Sequence, residues 1–149
     1  MRLFYAALFL LASSPALADV YLLSRHKLEG TDFTAAYFLS HPQMTTLEAC
    51  EAERKAARTT GFRLFSRLYF ATHKGRNVQD QLYCVESDQR FTPFRPNPTV
   101  DFTYLITLDK TKMKVKRAAS LGACMAMTGQ DGELSSNRFC AKSPQDLTR

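Results

Sequence analysis

The chain has 149 residues, 20 of them Lys or Arg against 14 Asp or Glu, and a formal net charge of +6. That length suits one domain with its own core rather than two. The positive excess is moderate: it favours anionic partners but falls short of the dense basic tracts of dedicated nucleic-acid binders.

Residues 1–18 read as an export signal. Met1-Arg2 gives a positive start, Leu3 to Ala12 is an almost unbroken apolar run, and Pro15-Ala16-Leu17-Ala18 ends in a small-x-small cleavage pattern. The run is about half the length of a bilayer span, and no later stretch reaches the roughly 18 apolar residues of a transmembrane helix. Cleavage after Ala18 leaves a mature chain starting at Asp19, which rules out a lipid anchor on a new N-terminal cysteine. The expected location is the periplasm or the cell exterior. All four cysteines follow the cleavage point, so in an oxidising compartment they read as two disulfides.

The mature chain then opens on a β-hairpin. Val20 to Lys27 and Phe33 to Ser40 are β-rich, with a turn at Leu28-Glu29-Gly30-Thr31-Asp32. Thr45 followed by Glu48 has the form of a capping box, and a helix is expected from there to Thr60-Gly61. Leu47, Cys50 and Ala57 should face a sheet, and Glu51, Lys55 and Arg58 solvent. Two further strands are expected, Phe62 to Thr72 and Asp80 to Glu86, separated by a turn at 73–77. Thr92-Pro93-Phe94-Arg95-Pro96-Asn97-Pro98 lies in a proline-rich connector, residues 91–99, that neither continues a helix nor joins a central strand.

A second series follows in the same order. Val100 to Leu108 and Lys112 to Ala118 form a hairpin around Asp109-Lys110-Thr111, Ser120 starts a short helix to about Met127, and Ser136 to Ala141 is a strand. Thr46-Leu47-Glu48-Ala49-Cys50 is echoed by Ser120-Leu121-Gly122-Ala123-Cys124, and Thr60-Gly61 by Thr128-Gly129. One more cysteine follows each copy. Residues 19–90 and 100–149 therefore read as two tandem ββαβ units within a single α+β domain, 19–149. Equivalent bonds in equivalent units give Cys50 to Cys84 and Cys124 to Cys140. The expected packing is a mostly antiparallel sheet with both helices on one face; a ferredoxin-like order is a close relative.

Catalytic and metal-binding motifs are absent from the sequence, and no cofactor or metal is implied. His26, His41 and His73 are dispersed; converging in a cleft, they could serve a small hydrolase or nuclease. Two features point to binding instead. In 63–70, alternation puts Arg63, Phe65, Arg67 and Tyr69 on one face, which reads either as a basic-aromatic set suited to phosphate, carboxylate or sugar ligands or as the outer face of a half-buried strand packed under a loop. In 110–117, Lys110, Lys112, Lys114 and Lys116 share one side of a strand opposite Met113 and Val115. That row reads either as a track for a polyanion or as protection of an exposed sheet edge.

The function expected from these features is that of an exported, non-catalytic binding module with a protein partner in the cell envelope, such as an inhibitor or an immunity-type protein. A binder of anionic envelope components or nucleic acid through the basic strands ranks second, and a small secreted hydrolase or nuclease third. Free hairpin edges would leave room for dimerisation by strand addition.

Overall fold

The computed structural model describes residues 18–65, 78–95, 99–131 and 134–148. Residues 1–17 of the expected export signal and most of the expected strand Phe62 to Thr72 lie outside them. Eight strands and two helices follow in the order β1 (Asp19–Leu28), β2 (Thr34–Leu39), α1 (Leu47–Thr59), β3 (Val78–Ser87), β4 (Arg90–Phe91), β5 (Phe102–Asp109), β6 (Lys112–Ala118), α2 (Leu121–Asp131), β7 (Arg138–Ser143) and β8 (Leu147–Thr148).

The main sheet does not stay open. Strand β1 pairs antiparallel with β2 and β3, and β5 pairs antiparallel with β6 and β7. These two three-stranded sheets join along parallel seams, β2 to β7 at Ala35 and Lys142, and β3 to β6 at Glu86 and Lys112. The result is a closed six-stranded barrel in the order β1-β2-β7-β5-β6-β3. Closure corrects the expected open sheet with both helices on one face, and the ferredoxin-like relative with it. The helices lie outside the wall over different strands, α1 on β1 and β3, and α2 on β5, β6 and β7. Closure also pairs both edges of both hairpins, which removes the expected route to dimerisation by strand addition.

Period-two alternation decides what fills the barrel. Tyr21, Leu23, Phe38, Val85, Tyr104, Ile106, Met113, Val115 and Phe139 form the interior cluster. Their alternates, Val20, Leu22, Leu39 and Cys84, pack with Cys50 under α1, and Leu105 and Cys140 pack with Cys124 under α2. One barrel end is plugged by the short antiparallel pair of β4 and β8. There Phe91 stacks on Phe38 with ring centroids 3.8 Å apart and meets Tyr21 edge-on at 5.4 Å. The connector therefore starts later than expected, because Phe91 belongs to this plug.

Each parallel seam has one paired position, so backbone groups beyond it need other partners. Glutamine side chains supply them. The Gln89 amide donates to the Val115 carbonyl (2.7 Å) while its oxygen accepts from Val115 N (2.6 Å). Across the other seam, Gln145 makes the same pair of bonds to Phe38, at 2.9 and 2.8 Å. Tyr21 and Tyr104 hydroxyls donate to the carbonyls of Gln89 and Gln145. Burial pushes the Tyr104 hydroxyl up to about 12.

Both helices start on hydroxyl caps. Thr46, one residue later than the capping-box reading, accepts from Ala49 N, and Ser120 accepts from Ala123 N. Helix α2 runs on to Asp131, so Thr128-Gly129 does not end it as Thr60-Gly61 ends α1. Cys50 bonds to Cys84 and Cys124 to Cys140, with Cα atoms 5.7 and 6.0 Å apart, fastening each helix to the strand beneath it. Leu22 is opposite Cys84 and Leu105 opposite Cys140.

The two bonds close loops of unequal length, with sequence separations of 34 and 16. In the chain-entropy treatment they are worth about 4 and about 3 kcal/mol. Replacing Cys50 and Cys84 together by Ser should lower the unfolding free energy more than replacing Cys124 and Cys140. Denaturant unfolding of the two double variants checks the order, and equal midpoints to the parent would contradict it.

Candidate functional site

The expected basic-aromatic strand face does not form within the described residues. Arg63 and Phe65 lie in a bend after α1, and Arg67 and Tyr69 fall outside the described residues. The cause is Glu53, expected on neither the buried nor the exposed face yet fully buried on α1. Its Oε1 accepts from the backbone N–H groups of Arg63 (2.7 Å) and Leu64 (2.8 Å), which takes both out of any ladder. The Arg63 guanidinium lies 3.6 Å from the other carboxylate oxygen. A buried carboxylate needs this compensation, so Arg63 serves the fold.

Phe65, held by that bend, lines a hollow of about 500 Å³ between the last turn of α1 and the outer face of β1 and β3. On its floor, Ser24 and His26 are two residues apart on β1 and share the outward face. Antiparallel register places Leu82 opposite Ser24 and Asp80 opposite His26. The Ser24 hydroxyl is 2.7 Å from His26 Nε2, and His26 Nδ1 is bonded to the Asp80 carboxylate. Because a carboxylate only accepts, Nδ1 carries the proton, which leaves the Nε2 lone pair to accept from Ser24. Arg58, Thr60 and Gly61 form the helix side of the hollow, and Phe62 and Leu82 add apolar walls.

Burial lowers the His26 pKa from its ordinary 6.5, outweighing the hydrogen bond and charge of Asp80, which raise it. Tyr37 on β2 meets the ring edge-on at 5.5 Å, and Arg58 stands on the wall of the same hollow. Of the three histidines named for the hydrolase reading, His26 lies in the hollow. His41 accepts from Gln43 N in a turn and faces Phe65 at 6.1 Å, and His73 is outside the described residues. Ser24 and Asp80 were missing from the sequence reading. Ser24-Arg25-His26 is visible as alternation on one strand, but Asp80 becomes its neighbour only through the register of β1 on β3.

The lysine row is placed on the barrel wall. Lys110 occupies the tight turn before β6 with φ 53°, and Lys112 pairs with Glu86 across the seam. Lys114 and Lys116 line a second groove of about 430 Å³ with Asp88, Leu105, Thr107 and Arg138. Thr107 on β5 is opposite Lys114 on β6 and Arg138 on β7, so the two cations flank it roughly 10 Å apart, two strand spacings. Strand β6 lies between β5 and β3, which takes away the edge-protection reading. The two hollows share no lining residue. Among the described residues, no group of three or more His, Cys, Asp or Glu is placed to hold a metal.

Comparison of the chain with protein families, curated proteins and solved structures finds no match. Its chemistry is therefore read from its own geometry.

A histidine whose folded pKa is depressed stabilises the fold above its unfolded pKa and withdraws that contribution as pH falls. Stability should therefore drop between about pH 7 and 5, and His26→Gln should flatten that drop. Following the His26 ring resonances by NMR should give a midpoint below 6.5, whereas one above 6.5 would contradict burial as the dominant influence.

Proposed function

We propose that this protein is an exported binding module that receives an acidic partner protein of the cell envelope on the groove between β5, β6 and β7. The observation that carries the reading is the clustering of Lys114, Lys116 and Arg138 on the outer wall around Thr107. Lys114 and Lys116 have no ion pair among the described residues, whereas Lys112, Arg63, Arg90 and Arg117 are each paired with an acid. A short cluster on a rigid wall matches a patch of carboxylates better than a long polyanion, which needs a continuous track. Two disulfides fit an oxidising compartment, and among the described residues no helix is long and apolar enough to cross a membrane.

We also propose that the domain arose as two tandem ββαβ units, 19–90 and 100–149. Support comes from the helix echo at Cys50 and Cys124, and from a second echo, Cys84-Val85-Glu86-Ser87-Asp88-Gln89 against Cys140-Ala141-Lys142-Ser143-Pro144-Gln145. The shared C-x-x-S-x-Q positions do matching work: each serine hydroxyl accepts from the N–H of its glutamine, and each glutamine clamps the opposite seam. In this alignment Ser24 corresponds to Thr107 and Leu82 to Arg138, so the two grooves occupy equivalent places with different chemistry.

Capture from envelope extract on the immobilised oxidised protein tests the binding reading. The parent should retain one protein, and Lys114→Glu with Lys116→Glu should weaken that retention at least about tenfold, roughly 1.4 kcal/mol of binding free energy. Equal capture by both forms would contradict the assignment. Elution of lipid or nucleic acid alone on adding salt would replace the protein partner with a polyanion.

A further inference from the structure

We propose that Ser24 is an activated nucleophile, with His26 as its general base and Asp80 orienting the imidazole, and that the hollow beside α1 accepts small carboxylic esters. This step is independent of the binding reading, since the groove on β6 and the hollow share no lining residue. The argument rests on connectivity. The carboxylate of Asp80 meets Nδ1, the serine hydroxyl meets Nε2 at 2.7 Å, and all three groups lie on the floor of one hollow. That order, acid to Nδ1 and hydroxyl to Nε2, fixes the tautomer that can take a proton from serine, and it is recognised by geometry rather than by chain order.

The surroundings supply what such a base requires. His26 is buried, and its depressed pKa keeps the ring neutral near pH 7, so Nε2 is able to accept a proton. Ser24 is fully buried beneath the hollow it lines, so only an electrophile seated against the floor of that hollow reaches its Oγ. Phe62, Phe65 and Leu82 provide an apolar lining for an acyl or aryl group, and Arg58 is the cation on the wall. A substrate with a short acyl group and an anionic leaving alcohol therefore fits the hollow best.

In the reaction, Ser24 Oγ attacks the ester carbonyl carbon as its proton passes to His26 Nε2. The bond to the leaving oxygen then breaks, and His26 returns the proton to that oxygen, releasing the alcohol and leaving an ester on Ser24. Water then attacks the acyl carbon as its proton passes to His26, the bond to Oγ breaks, and His26 returns the proton to Oγ, which releases the carboxylic acid and restores the serine. Asp80 balances the transient charge on the imidazolium and touches no reacting atom, so it is a positioning residue. Arg58, on the wall of the same hollow, is the cation available to the charge that develops on the carbonyl oxygen.

The test is treatment of the oxidised protein with phenylmethylsulfonyl fluoride, read by intact mass and peptide mapping. Sulfonylation forms the Oγ–S bond and expels fluoride. The expected result is a single adduct on Ser24, absent from Ser24→Ala and formed at least about a hundredfold more slowly in His26→Gln, the usual scale for loss of a general base. Asp80→Asn should slow it as well while leaving both disulfides and the circular dichroism unchanged. If a variant fails to fold, the pH profile of labelling in the parent decides: the rate should rise as His26 loses its proton and then level off. No adduct, an adduct elsewhere, a rate indifferent to His26 or a flat pH profile would each overturn the proposal.

Discussion

The fold depends on two side-chain amides that cross from one half of the barrel to the other. Each three-stranded sheet is well paired within itself, but the sheets meet at seams where Ala35 and Lys142, or Glu86 and Lys112, are the paired positions. Past those points no further strand pairing joins the sheets, and a buried peptide group without a partner costs about 1 to 3 kcal/mol. Gln145 gives Phe38 both an acceptor and a donor, and Gln89 does the same for Val115. A primary amide is suited to this because it presents one donor and one acceptor at the spacing of a backbone peptide. The two residues served, Phe38 and Val115, point into the barrel core, so the clamps also fix the packing of the interior.

Around that closed core the outer wall is free to carry chemistry. The helices are fastened at Cys50 to Cys84 and Cys124 to Cys140, near one end of the strands they cover. Past the disulfide each leaves a stretch of wall that other residues line. Beside α1 that stretch holds Ser24, His26 and Asp80 under the bend organised by Glu53. On the opposite sheet it holds Thr107 between Lys114 and Arg138. One scaffold thus offers a polar relay in a partly apolar hollow and a cationic groove, and rigidity from the seams and disulfides preserves both geometries without a ligand.

Hairpins, approximate helix starts and cysteine partners were legible in the sequence because each is a local pattern: alternation at Val20 to Lys27, the capping hydroxyl of Ser120 and a threonine one place from the true cap Thr46, and one cysteine after each helix. Barrel closure was not, since it rests on single paired positions between strands far apart in the chain. The letters that mark it, serine and glutamine three and five places after Cys84 and Cys140, stand plainly in the sequence but acquire meaning only once their amides are seen reaching Val115 and Phe38. The surroundings of Arg63 were hidden for a related reason. Alternation in Arg63 to Tyr69 suggested a strand, while Glu53, ten residues upstream of Arg63, captures the backbone there and turns Arg63 into a partner of a buried carboxylate. Ser24 and His26 looked like ordinary strand residues until register put Asp80 beside them.

Amide hydrogen exchange at Phe38 and Val115 tests the closing of the barrel most directly. Both amides should exchange as slowly as Ile106 and Leu23 in the barrel core. Gln145→Leu should release Phe38 alone, and Gln89→Leu should release Val115 alone, with the antiparallel ladders still protected. Rapid exchange at these positions in the parent protein, or protection that survives both substitutions, would contradict the account.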